Sequence, residues 1–179
     1  MTLKRSKTID ELCYPFIYEH SYLCDYEVAT DELCSHVGHI IAFLPEQFDD
    51  IKSDLFILQP LVYHLNGSIR GKLAITEENL SWLLQRYHHY QRLTENTVEG
   101  FVLPQGPFPA PQCHLARSAA KKAIRIMVRL DQKGIHVPDV LHRMCNLLCN
   151  FFFVIAIYSN QQQGFTETPF TSLSYRSHK

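Results

Sequence analysis

Apolar residues recur along this chain at intervals of three and four, the period of a helix with one buried face. Leu33, Val37, Ile40, Ile41 and Leu44 predict a first helix over residues 27–44, closed by Pro45. Leu55, Leu58, Leu61, Val62 and Leu65 predict a second over 48–73, although Gly67 and Gly71 are poor helix formers. Thr76 is a good N-cap, with Glu77 and Glu78 in the turn after it, for a third helix carrying Leu80, Leu83, Leu84, Tyr87 and Tyr90 to about residue 93. A fourth, over 111–132, has a core stripe of Leu115, Ala119, Ala123, Ile126 and Leu130 and stops before Gly134. Pro138 suits the first turn of a fifth, over 138–159. Strand signals are weak. The pattern predicts an all-α fold, an up-and-down bundle of about five helices.

Two ends stand outside this pattern. Residues 1–26 read as irregular, and 160–179 as a polar, loose tail. The helical-bundle domain is then 27–159. Between the third and fourth helices, residues 94–112 hold four prolines and two glycines. That loop is long for a compact domain, which points to a function.

Composition narrows the classes. The chain has 179 residues, 46% hydrophobic and 20% charged, which suits one soluble domain. A net charge of −1 gives no overall attraction to nucleic acid or a membrane surface, so any anion site must be local. The apolar run from Met144 to Tyr158 is short for a membrane span and carries Asn146 and Asn150. No N-terminal apolar stretch has signal-peptide length, so the six cysteines are expected as reduced thiols in the cytoplasm. Cys145 and Cys149 read as small buried hydrophobes. Glu32, His36 and His39 fall at i, i+4 and i+7, but with ten histidines a chance alignment outweighs a zinc site, and no metal site is expected.

The candidate chemistry lies on the last two helices. Arg117, Lys121 and Arg125 are four apart, with His114 at the start of their stripe, and no acid falls between Glu99 and Asp131. Such a ridge is either a solvated face or a site for polyphosphate oxygens. Asn146 and Asn150 share one stripe of an apolar helix. Buried amides need partners, at a helix crossing or in a cavity or subunit interface. Asp31, early in the first helix, could pair with the fourth helix's cations from a neighbouring chain.

These pieces resemble a known family in order and spacing. Phe101-Val-Leu-Pro-Gln-Gly106 is similar to the Phe-x-Leu-Pro-Gly-Gly turn of trimeric, propanediol-utilisation-type ATP:cob(I)alamin adenosyltransferases. Thr30-Asp31-Glu32-Leu33 with Gly38 resembles their first helix motif, Ile75 to Tyr90 a further helix, His114-Leu-Ala-Arg117 the opening of their ATP-binding helix, and Asn146 the asparagine of the last. The resemblance covers residues 25–158. It implies a transferase that moves the 5′-deoxyadenosyl group from ATP, as its Mg2+ complex, to cob(I)alamin or a related corrinoid, releasing triphosphate. It implies a homotrimer with sites between subunits. Phe101 and Val102 would face the corrin, Phe101 excluding the lower axial ligand. Arg117, Lys121, Arg125 and Asn146 would hold the nucleotide, with Lys121 stabilising the departing triphosphate and Asp31 pairing with Lys121 across the interface.

The chain departs from that pattern on the nucleotide side. Met1 to Tyr22 contains no glycine where the family has a Gly-rich phosphate turn. Lys121 and Lys122 replace paired arginines, Ile124 a glutamate, and Leu147 and Asn150 an arginine and an aspartate. The alternatives are a non-catalytic corrinoid carrier that has lost ATP and an interaction scaffold.

Overall fold

The computed structural model describes residues 3–95 and 100–174. Five long helices form: α1 (Tyr22–Phe43), α2 (Asp49–Gly67), α3 (Glu77–Leu93), α4 (Ala110–Gln132) and α5 (Asp139–Gln162). The all-α expectation holds, with one small addition. Strands β1 (Phe101–Val102) and β2 (Pro169–Phe170) pair antiparallel, Phe101 opposite Phe170 and Val102 opposite Pro169.

The expected boundaries differ at three ends, each for a local reason. Helix α1 begins five residues early, because the Ser21 side chain caps it by accepting from Leu23 N–H, and Cys24 and Tyr26 already face the core. Helix α2 stops at Gly67, where the Ser68 hydroxyl donates to His64 O and accepts from Ala74 N–H, turning the chain out. It carries Pro60 on its exposed side, where the missing backbone bond faces water. Helix α5 runs to Gln162. The segment after it, expected to be loose, turns back: Phe165 N–H donates to Asn160 O, and β2 joins β1.

Helix α1 packs on α2 and α4, and α5 on α4 and α3. The ring closes between α2 and α3 through Asp54, which is buried and accepts from Arg86 Nε and from the Tyr90 hydroxyl, both at 2.8 Å. Ala116, Ala119, Ala120 and Ala123 give α4 a flat buried face, so α1 and α5 can approach it closely. Leu115, expected in that stripe, is 52% exposed instead, and Leu84 of α3 is also exposed. Cys113 and Met127 complete the α4 core in their place. Helix α5 is long and apolar enough to cross a membrane, but 72% of its most apolar window is buried by its neighbours. Cys145 and Cys149 lie buried on it, and all six cysteines are free thiols.

Candidate active site

At one end of the bundle the chain from Phe101 to Gly106 is tied to the segment after α5. Leu103 N–H donates to Thr168 O and Gln105 N–H to Leu103 O, both at 2.9 Å. The Thr168 hydroxyl donates to the Gln105 side-chain carbonyl at 3.0 Å. Asn160 Nδ2 donates to the Gln105 main-chain carbonyl at 2.9 Å and to Glu167 Oε1 at 2.8 Å. Gly106 has φ +127°, and a Cβ there would collide with the buried Asn160 side chain, so glycine is required. This frame leaves Phe101 76% exposed, with Phe170 across the ladder also exposed. Val102 is half-buried. An open apolar hollow of about 560 Å³ lies beside the turn, lined by His39, Phe43, Pro45, Phe108 and Gln163.

The cations of α4 are arranged differently. Lys121 and Arg125, with Ser118, Lys122, Ile126, Arg129 and Ala29 of α1, line a shallow groove of about 420 Å³. Lys122 is neutralised by Glu32 of α1, its Nζ donating at 2.8 and 2.9 Å. Among the described residues, Lys121 and Arg125 form no ion pair. Arg117 lays its guanidinium over the Phe153 ring at 5.3 Å, and Arg129 lies over Tyr22 at 5.6 Å. His114 is buried beside Phe153, and neither ring nitrogen has a hydrogen-bond partner. Burial, and then the Arg117 charge, push its pKa down to about 4, so the ring is neutral at pH 7.

Asn146 and Asn150, weighed above as buried amides, are both exposed on α5. The Asn146 amide donates back to His142 O at 2.9 Å. The Cys149 thiol points at Arg117 O, 3.6 Å away. With a connection of only residues 133–138, α4 and α5 run antiparallel, and this contact sets their register: Asn146 falls near the level of Lys121. Asp31 is exposed in a separate groove with Tyr14, Val28, Tyr63 and Asn66. Within one chain, therefore, Asp31 and Lys121 open onto different surfaces.

The structure thus brings Lys121 and Arg125 into one groove between α1 and α4, leaves Arg117 and Asn146 outside its lining, and sets Phe101 with Val102 at the end of the bundle. Lys121 stands about 16 Å along α4 from the turn, at 1.5 Å per residue, and its groove does not include Phe101. Glu32, His36 and His39 do not form a three-ligand set: Glu32 serves Lys122 and also lies 3.9 Å from His36 Nε2, His36 Nδ1 meets Gln112 at 2.8 Å, and the His39 ring packs tilted against Phe43. Among the described residues, no group of three His, Cys, Asp or Glu is placed to hold a metal ion. Asn160, Glu167 and the aromatic hollow were not singled out from sequence.

The sequence and the fold are both matched in known proteins. The family model for cobalamin adenosyltransferase matches residues 20–159. The chain belongs to the cobalamin adenosyltransferase family. It is 30% identical over 141 residues to the corrinoid adenosyltransferase of Bacillus subtilis, covering 75% of this chain and 72% of that protein. It is 29% identical over 136 residues to the cobalamin adenosyltransferase of Cupriavidus metallidurans. Its fold is similar to that of a PduO-type ATP:corrinoid adenosyltransferase variant from Lactobacillus reuteri complexed with cobalamin and ATP, with TM-score 0.77, 21% identity and 87% of each chain covered. Two of the chain's departures from the family pattern have a structural use. Ile124 packs against the core, and Leu147 is 9% exposed within it, so both positions serve packing.

Proposed function

We propose that this chain transfers the 5′-deoxyadenosyl group of ATP to cob(I)alamin or a related corrinoid. The family match over residues 20–159 carries the proposal. Cobalt(I) supplies the electron pair for the new cobalt–carbon bond at the 5′ carbon. The carbon–oxygen bond breaks, and triphosphate leaves with the negative charge, cobalt ending as Co(III). The exposed Phe101, with Val102 beside it, meets the corrin and keeps the lower axial ligand away, which eases reduction to the nucleophilic state. Arg117, Lys121 and Arg125 hold the triphosphate of MgATP, and Lys121 takes the charge that develops on departure. Asn146 binds the nucleotide at the same level of the helix pair.

Support for a homotrimer comes from what one chain leaves unfinished. Among the described residues Lys121 and Arg125 have no acidic partner, and Asp31 opens on another surface. A second copy bringing Asp31 against Lys121 closes both, which makes the site intersubunit. The free thiols fit a cytoplasmic setting.

A second reading, a corrinoid carrier without ATP, is favoured by one observation: the positions of Ile124 and Leu147 are given over to packing. Calorimetry of ATP, with and without magnesium, separates the two. Saturable binding that strengthens with magnesium is expected. Corrinoid binding with no ATP binding selects the carrier. Sedimentation at micromolar concentration should give a trimer, and a monomer would remove the intersubunit site.

A further inference from the structure

The turn that carries Phe101 is held by a buried polar pair with no part in the transfer chemistry. Asn160 is 0% exposed near the end of α5, and Glu167, seven residues on, is 9% exposed. The Asn160 amide donates both hydrogens, to Gln105 O at 2.9 Å and to Glu167 Oε1 at 2.8 Å. The two oxygens left over, Asn160 Oδ1 and Glu167 Oε2, are buried without a partner. Two buried acceptors lacking a donor in one contact are uncommon. Among the described residues, Glu167 takes part in no ion pair. One proton on Oε2 is the donor this pair lacks: a carboxylic acid facing a primary amide closes two antiparallel hydrogen bonds. Burial pushes the Glu167 carboxyl above its ordinary range, the Asn160 bond offsetting part of that rise.

We propose that Glu167 is held as a neutral acid and, with Asn160, is a positioning pair that fixes the 103–106 turn and so the aim of Phe101. The proposal rests on the reading that Phe101 faces the corrin. The chain of contacts is short. Asn160 grips the Gln105 carbonyl, and its Oδ1 fills the space where a Cβ of residue 106 would stand. Glu167 sets which way the Asn160 amide faces. Thr168, the next residue, fastens Leu103 through its carbonyl and Gln105 through its hydroxyl. Two residues further, Phe170 pairs with Phe101 itself. Neither Asn160 nor Glu167 touches a reacting atom.

The test compares Glu167→Gln and Glu167→Ala in the full chain. Hydrogen exchange is followed at the Leu103 and Gln105 amides, together with the KM for corrinoid, the KM for ATP, and the spectrum of four-coordinate cob(II)alamin with MgATP. Glu167→Ala should speed exchange at both amides by about tenfold or more, because the turn loses its buckle. The corrinoid KM should rise with it and the four-coordinate signal should weaken, while the ATP KM stays within about twofold. Glu167→Gln should resemble the wild type, since its amide offers Asn160 Oδ1 the same donor. Unchanged exchange in Glu167→Ala overturns the buckle. Exchange in Glu167→Gln as fast as in Glu167→Ala overturns the neutral-acid assignment. Faster exchange with an unaltered corrinoid KM and cob(II)alamin spectrum supports the buckle and sinks instead the placing of Phe101 at the corrin.

Discussion

The turn around Phe101 and the cationic side of α4 are built on opposite principles. The turn is fully braced within one chain: Leu103, Gln105 and Gly106 are all fixed by Asn160, Glu167 and Thr168. The brace holds an apolar ring out into water. On α4 the cations are spaced by helix geometry, and among the described residues Lys121 and Arg125 form no ion pair. An exposed aromatic on a rigid mount suits a large apolar ligand whose orientation matters. Unpaired cations on a rigid helix suit an anionic ligand, or an acidic residue of another copy. The difference teaches that this chain carries a finished aromatic mount and a cationic side still open to a ligand or to a second copy.

The largest effect should come from His114, buried where the two regions meet. Its folded pKa is about 4 against an ordinary 6.5, so the folded state binds fewer protons than the unfolded one between those values. Stability is therefore fully present above pH 6.5 and is lost as pH falls toward 4, by on the order of 3 kcal/mol. Urea unfolding at pH 7.5 and pH 5 should show the loss, and His114→Leu should flatten it. An equal pH slope in that variant would mean His114 is not the group responsible.

Next in size is Phe101→Ala. With the aromatic mount empty, kcat/KM for corrinoid should drop about a hundredfold, the scale of a mispositioned reactant. The four-coordinate cob(II)alamin spectrum should fade with it, at unchanged thermal stability. A variant with the wild-type spectrum would take Phe101 out of the reaction.

Lys121→Ala should weaken ATP binding about tenfold or more, the loss of one charge-assisted contact. Binding by the wild type should itself weaken with added salt, since exposed charges are screened. Lys121→Arg should match or improve on the wild type by restoring a bidentate fork. Equal ATP affinity in wild type and Lys121→Ala would make the cationic stripe a solvated face. The smallest effect belongs to Lys122→Ala, within about twofold, because Lys122 already pairs with Glu32. A loss at Lys122 larger than at Lys121 would reverse the assignment of the two lysines.

What the chain showed before folding was uneven, and for physical reasons. Helix α1's apolar face was legible because Leu33, Val37, Ile40 and Ile41 repeat at helical spacing, and all four are buried. Its start was not, because Ser21 announces the cap by one hydroxyl within an aromatic stretch that reads as irregular. On α4 the size of a side chain misled: alanines form the buried face and Leu115 is left outside, since α1 and α5 pack too closely for larger groups. The Phe101 turn and the Arg117–Lys121–Arg125 stripe stood out through local order and spacing. The brace behind the turn could not, because Gln105 lies 55 residues from Asn160 in a non-periodic stretch, and only the return of the chain after α5 brings Glu167 back to Asn160. Asn146 and Asn150 were legible as a stripe, while their exposure follows from there being, among the described residues, no further long helix over that side of α5.

The central claim is the proposed transfer of the adenosyl group from ATP to a corrinoid. The most direct measurement supplies chemically reduced cob(I)alamin and MgATP to the purified protein and follows adenosylcobalamin and triphosphate together. The account predicts that both form in equal amounts over many turnovers, and that Lys121→Ala slows them together. Tight corrinoid binding with neither product, at saturating MgATP, would contradict it and leave a carrier.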